Sequence, residues 1–242
     1  MLNWQCVQGR GMGKLLIHRY RGSKDGCARR GHGKRGPGTS WSIIALARRG
    51  QRNDFFTLNF ENPEQLSLAD SLILADPALR DPNFSRAVLF LTRHSALEGA
   101  QGFILNRPLE RRVGDLLKEE QFTALADVPV FLGGPVETEE LTFGVIRWDE
   151  VSQRTVFLSH LSRKAAVEEL EEGHEVRAFV GYAGWSAGQL EAELLQRSWI
   201  AARALRSLFD EAHAEGLWRH LLRGMGPWHR LLADMPIDPS LN

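Results

Sequence analysis

From residue 66 onward the chain alternates short apolar runs with polar, glycine- or proline-containing breaks, a rhythm that suits strands better than long helices. Ser71-Leu72-Ile73-Leu74-Ala75 is one such run, ended by Asp76-Pro77 because proline brings no amide donor to a ladder. A second Asp-Pro pair, Asp81-Pro82, precedes residues 87–92, whose branched and aromatic side chains predict a buried strand. Residues 102–105 predict a third strand, stopped by Asn106-Arg107-Pro108, and the short glycine-containing link before it predicts a hairpin. Residues 113–126 mix Leu116, Leu117, Phe122 and Leu125 with charges, as one or two short helices would. Strand patterns return at 128–132, before the turn Gly133-Gly134-Pro135, and at 143–148 and 155–158, on either side of a polar turn. Residues 162–172 predict a charged helix with Ala166 and Leu170 on one face. The last strand that the pattern marks is 176–180. Helices are predicted after it, from Ser186 through Trp199, around 204–209 and over 213–222.

Strands in groups followed by helices, without regular alternation, predict an α+β fold: a compact domain with a mixed or antiparallel sheet and packed helices. With 43% apolar residues the chain can fill a core, and no apolar run approaches the 18 or more residues of a membrane span. The formal net charge of zero conceals an asymmetry. Residues 1–52 hold twelve Lys or Arg, ten glycines and one acidic residue, Asp25, whereas the remainder holds eighteen basic and twenty-nine acidic residues. The expected organisation is therefore a basic leader over 1–60 and a folded domain over 61–242. The leader is too polar to repay the entropy of ordering, so it is expected either as a disordered tail or as upstream sequence read as protein from a misassigned start. The second account needs an unusual start codon, since no Met lies between Met12 and Met225. A nucleic-acid arm is the third account of its charge. Arg29-Arg30 before a short apolar stretch, with Arg48 and Arg49 following it, makes a poor export signal. Cys6 and Cys27 both lie in the leader, so no disulfide or Cys-based zinc site is expected in the domain, and the expected compartment is the cytoplasm.

The sharpest chemical motif is Gly184-Trp185-Ser186-Ala187-Gly188, which fits the Gly-x-Ser-x-Gly of a serine hydrolase elbow. A hydrolase also needs a His to take the hydroxyl proton and an acid behind it. Asp210 with His213, His220 or His229 fits the usual order, but these lie in helical pattern rather than at strand ends. Ser186 as the N-cap of a helix, with Gln189 at N3 of a capping box and Glu191 and Glu193 in the early turns, accounts for more residues. Leu190 and Leu194 then share a face, beside Leu195 and Trp199.

Gly133-Gly134-Pro135 has adjacent amides of the kind that form an anion nest, but it lacks a phosphate-loop or dinucleotide spacing, and a turn after a strand is the preferred account. His94 and His160 follow strands without metal-ligand spacing, and Asp76, Asp81, Arg86 and Arg107 gather around turns where capping and exposed ion pairing explain them. No helix-turn-helix with a basic face is present, and the acidic balance of the domain opposes phosphate attraction.

Several runs taken together resemble the YqgE/AlgH family of bacterial proteins: LILADPALRDPNFSRAVLFLTRH at 72–94, GFILNRPL at 102–109, FLGGPV at 131–136, FGV at 143–145 and GYAGWSAGQLEAELLQRSW at 181–199. The resemblance covers roughly residues 66–236. It implies a compact α+β fold, a cytosolic bacterial protein and no accepted catalytic set; some members carry the name of a transcriptional regulator. Family members commonly begin near the position matched by Leu66. The position of Ser186 need not be serine in that pattern. Gly181, Tyr182, Trp185, Gly188, Gln189 and Glu191, with Gly133, Gly134 and Pro135, are the expected structural or binding patch, and Ser186 the expected helix cap. The expected function is a non-enzymatic regulatory or interaction role with a protein or small-molecule partner and no cofactor. The alternatives are a serine hydrolase using Ser186 and a DNA-binding transcriptional regulator.

Overall fold

The computed structural model of the chain describes residues 67–203 and 214–235. The expected leader over 1–60, the helix around 204–209 and His213 lie outside the described residues.

Among the described residues nine strands run in chain order: β1 (Ser71–Ala75), β2 (Val88–Ser95), β3 (Gly99–Ile104), β4 (Pro108–Arg112), β5 (Pro129–Leu132), β6 (Val136–Asp149), β7 (Arg154–Leu161), β8 (Val176–Trp185) and β9 (Trp199–Arg203). The helices are α1 (Val113–Leu116), α2 (Arg163–Glu171), α3 (Gln189–Leu195), α4 (Leu217–Gly224) and α5 (Pro227–Ala233), with 3-10 turns at Glu120–Leu125 and Ala214–Gly216. Strands pair in the order β4-β5-β8-β3-β2-β1-β9, with β6 also on β8 and β7 on β6. The β5–β8 pair is parallel and all others are antiparallel. The α+β fold with a mixed sheet and packed helices is thus what forms.

The continuous apolar runs are explained by burial on both faces of the sheet. Along β1 to β3, Leu72, Leu74, Val88, Phe90, Phe103 and Leu105 point to one core, which β7, β8, α4 and α5 close with Phe157, Phe179, Trp218, Leu221 and Ala233. Ile73, Ala75, Leu89, Leu91 and Ile104 point to the other, closed by Phe84, Trp185, Leu190 and Trp199. A third core, with Val113, Leu125, Val130, Val145 and Ala166, lies where the small helices cover β5, β6 and β8. Ser162 caps α2 by accepting from the Ala165 amide at 3.2 Å. Only Ala166 of the two residues expected on its inner face is buried; Leu170 is 39% exposed.

Several segments differ from the sequence expectation, among them β6, which begins at Val136 rather than at 143, and α5, which the pattern does not mark. Residues 108–112, which follow the expected stop at Asn106-Arg107-Pro108 and carry no strand expectation, form β4 against β5. Residues 199–203, of which Trp199 is expected on a helical stripe, form β9, because the edge of β1 templates a ladder from Ser71 to Ala75. The helix beginning after Ser186 therefore ends at Leu195, and Trp199 belongs to a strand rather than to a helical stripe. β8 does not stop at Val180 but continues to Trp185, where Ala183, Gly184 and Trp185 pair with Gly102, Gln101 and Ala100 of β3. Gly181, at φ 66, lets the strand change direction between its partners β5 and β3 without ending.

Candidate functional site

The glycine pair after β5 crosses the bend in β8 at backbone contact. A Cβ on Gly133 would lie 2.2 Å from the Gly181 carbonyl oxygen, and one on Gly134 would lie 2.2 Å from the Tyr182 carbonyl. The Gly133 amide donates to Val180 O at 2.8 Å and its carbonyl accepts from Ile104 N at 2.8 Å. That amide serves the sheet and is not offered to an anion. Both glycines are buried, and Pro135 beside them is exposed.

Beyond the crossing, β8 runs into α3 through an exposed ridge at Ser186, Ala187 and Gly188. The expected N-cap shifts here. Gly188, at φ 73, is the N-cap of α3, and no side chain caps the helix. The reason is that Gln189 turns back on Ser186: its Oε1 accepts from the Ser186 amide at 3.1 Å and from the Ser186 hydroxyl at 3.0 Å. Ser186 thus donates to a side chain instead of accepting from a helix amide. The other end of Gln189, Nε2, donates to Glu193 Oε1 at 2.9 Å. The second oxygen of Glu193 accepts from two indoles, Trp185 Nε1 at 2.9 Å and Trp199 Nε1 at 2.7 Å. One carboxylate therefore ties the end of β8, the first turns of α3 and the start of β9. Trp185 and Trp199 stand edge-to-face, with ring centroids 6.0 Å apart, and Phe84 packs against both.

His94, at the far end of β2, reaches the same helix. Its Nδ1 accepts from the Leu68 amide at 3.0 Å, which places the ring proton of the neutral form on Nε2. Nε2 lies 2.9 Å from Glu191 Oε1, with side-chain exposures of 2% and 13%, but the ring N–H is not directed along that contact. The pair is a close polar contact rather than an aligned hydrogen bond. A cavity of about 360 Å³ opens beside it, walled by Ala69, Thr92, His94, Ser95, Gly99 and Ala100 and flanked by Arg93 and Glu98. Gly99 keeps this wall thin, since a Cβ there would fall 2.1 Å from the Trp185 carbonyl oxygen. Arg93 rests on a neutral partner, the side-chain oxygen of Gln101. Tyr182, half-buried on the other side of β8, points its hydroxyl at Glu137 Oε1, 3.5 Å away. Burial first, and the Glu137 charge second, push its phenol above the ordinary 10.0.

The remaining candidates settle into structural roles. Asp76 and Asp81 accept from the amides of Ala78 and of Asn83 and Phe84, closing their own turns. Arg107 donates to the Ser85 carbonyl and Arg86 to that of Met235. His160 meets Thr142 Oγ1 at 3.2 Å, and His220 is exposed. Glu169, Glu172 and His174 come close enough to share an ion, but Arg147 Nη1 already lies 3.5 Å from Glu169 and 4.0 Å from Glu172 and supplies a positive charge to the same carboxylates. The residues of the expected patch fall into two sets of contacts: Gly133 and Gly134 against Gly181 and Tyr182, and Trp185 and Gln189 on Glu193, with Glu191 beside His94. Sequence reasoning missed His94 as its member and Glu193 as its centre. The signal for Glu193 was its spacing: it lies four residues after Gln189 and between two tryptophans.

Residues 72–230 match the family described as DUF179, AlgH-like, which is well over half of the chain. The chain belongs to the AlgH-like family. Relatives in this family include a UPF0301 protein of Chlorobium luteolum, 36% identical over 182 residues that cover 72% of this chain and 94% of the relative. Another is the UPF0301 protein SCO2948 of Streptomyces coelicolor, 37% identical over 191 residues, covering 74% and 97%. Among solved structures, the AlgH protein from Pseudomonas aeruginosa superimposes with a TM-score of 0.52 at 25% identity, covering 74% of this chain and 98% of that one. Protein DIP2367 from Corynebacterium diphtheriae gives 0.55 at 19% identity over 74% and 95%, a likeness of fold. The AlgH-like match takes in the strands and helices that build the patch, from β2 to β9.

Proposed function

We propose that this AlgH-like chain is a cytosolic, non-enzymatic regulatory or interaction protein. It receives a protein or small-molecule partner at the ridge between β8 and α3 and at the adjoining cavity. The observation that carries this reading is the bonding of Ser186: its hydroxyl donates to the Gln189 amide oxygen, which takes no proton, so among the described residues the one motif that resembles a nucleophile has no base on its hydroxyl. Around it, rigid glycine crossings and the Glu193 tie hold exposed residues in fixed positions, as a binding surface requires. The described residues 67–203 carry 21 acidic against 14 basic side chains, which supports a partner other than nucleic acid.

The test uses the full chain. Ligand and partner libraries are screened by amide chemical-shift mapping, alongside a panel of ester and peptide substrates. Shifts confined to 182–191 and the cavity wall, with no turnover above buffer, are expected. Hydrolysis that disappears in Ser186→Ala would reverse the assignment, and shifts clustered elsewhere would relocate the surface.

A further inference from the structure

The cavity beside β2 and β3 has walls whose chemistry narrows what it can hold. Its volume of about 360 Å³ lies at the low end of the ~300–1,000 Å³ typical of small-molecule sites. Such sites are mostly lined by large apolar and aromatic side chains, and this one is not. Its apolar wall consists of Ala69, Gly99 and Ala100, and two opposite charges, Arg93 and Glu98, stand at its flanks. Small methyl-sized walls offer little hydrophobic stabilisation, so the cavity suits a small polar ligand bound through charge.

The protein itself neutralises neither charge. Arg93 rests on Gln101 Oε1, which accepts from its Nε at 3.1 Å and also from its Nη2. Gln101 is 9% exposed, so a buried neutral amide fixes the direction of the guanidinium without cancelling its charge. The Nη1 donors of Arg93 have no partner among the described residues. Glu98 has no ion pair and no side-chain hydrogen bond among the described residues. Its amide donates to Ser95 O at 3.3 Å, which closes the turn between β2 and β3 and leaves the carboxylate exposed.

The rest of the wall is in place before any ligand arrives. His94, whose side chain is 2% exposed, accepts the Leu68 amide on Nδ1 at 3.0 Å and so pins the segment that carries Ala69. On the other side of Ala69, the Asp70 amide donates to Leu91 O at 2.8 Å. Gly99 pairs with Ser95 and lies against the Trp185 carbonyl. Walls already fixed lower the ordering cost of binding.

An anion alone would satisfy Arg93 and be repelled by Glu98, and a cation alone would meet the reverse. A ligand with one charge of each sign satisfies both. We propose that the cavity binds a small zwitterion with a free carboxylate and a free ammonium, an amino acid or a short peptide. The Arg93 guanidinium takes the carboxylate and the Glu98 carboxylate takes the ammonium. This rests on the reading of the cavity as part of the binding surface and adds the class of ligand.

Amide chemical-shift titration of the full chain with four probes tests this. The probes are L-alanine, L-alanyl-L-alanine, N-acetyl-L-alanine, which lacks the ammonium, and L-alaninamide, which lacks the carboxylate. L-alanine or the dipeptide is expected to move the amides of 92–95 and 98–100 to saturation, and the tighter of the two gives the spacing of the charges. Each blocked probe binds about tenfold or more weakly than its parent. Arg93→Gln no longer distinguishes L-alanine from L-alaninamide, and Glu98→Gln no longer distinguishes it from N-acetyl-L-alanine. Both side chains are exposed, and amide positions unchanged outside the cavity wall show that each variant is folded. No saturable shift with either zwitterion, a blocked probe that binds as tightly as its parent, or variants that bind like the wild type would overturn the proposal. Partner-induced shifts over 182–191 beside a silent cavity would remove the zwitterion and leave the ridge as the interaction surface. Zwitterion binding together with hydrolysis lost in Ser186→Ala would reverse the wider reading and keep the ligand.

Discussion

Replacing Glu193 by alanine separates three elements at once. The carboxylate accepts from the indoles of Trp185 and Trp199, which are 6% and 4% exposed, and from the Gln189 amide. Its loss leaves two buried N–H donors unpaired, each at about 1–3 kcal/mol. Glu193 is itself half-buried, so water enters part of the vacated space and the lower half of that range applies. The half-exposed Gln189 recovers its bond from solvent, and alanine returns a few tenths of a kcal/mol in helix propensity. The net loss is about 2–3 kcal/mol, equivalent to roughly 4–12 °C in Tm for a domain of this size. Glu193→Gln keeps one acceptor oxygen, satisfies one indole and loses about half as much. Urea denaturation followed by tryptophan fluorescence measures both variants, with equal m-values required for the comparison. If alanine costs under about 0.5 kcal/mol, or if glutamine is no better than alanine, the carboxylate does not hold the corner together.

The two kinds of glycine in the patch are expected to behave differently. Gly134→Ala drives a Cβ into the Tyr182 backbone and is expected to cost at least about 3 kcal/mol, whereas Gly188→Ala, with no atom within 4 Å, carries only the strain of its φ of 73°, about 1–2 kcal/mol; thermal melts of the two should rank them in that order. His94→Ala orphans the Leu68 amide and leaves Glu191 without its neighbour, for a loss of about 2–3 kcal/mol and faster hydrogen exchange at Leu68; unchanged exchange there would contradict the assigned bond. Tyr182 is expected to ionise above the ordinary 10.0 in an ultraviolet titration, and Glu137→Gln to bring it only part of the way back, because burial is the larger cause. The sign follows from linkage: a raised folded value gives a contribution that is complete below the unfolded value and is lost as pH rises through the folded one, so stability should fall on the alkaline side. Complete return to 10.0 in that variant would make the Glu137 charge the main cause instead.

Much of the fold is written locally. Runs such as 71–75 and 87–92 are apolar throughout because both faces of their sheet are covered, and that requirement leaves its trace in consecutive residues. The hairpin of β2 and β3, the helices over 113–126 and the helix after Ser162 are equally legible, since turn chemistry and capping act within a few residues. The motif runs also pointed to Gly133 and Gly134 beside Gly181 and Tyr182, which the structure places in backbone contact. What the local pattern mistook were segments whose state is decided by a distant partner. WIAAR has no strand signal strong enough to outweigh the helix before it, and it becomes β9 because β1 offers an open edge some 130 residues earlier in the chain. Gly181 and Gly184 suggest a turn by composition, yet β3 holds them in a continuing strand.

The chemistry divides the same way. Sequence alone showed that Ser186 and Gln189 are coupled, because their spacing is that of a helix start. Only the tertiary structure decided the direction of that coupling, and only it brought His94 against Glu191 across 97 positions and two tryptophans onto Glu193. Periodicity and capping are short-range effects that neighbouring residues can encode, whereas the partner of a buried polar group is chosen by which surfaces the core presses together.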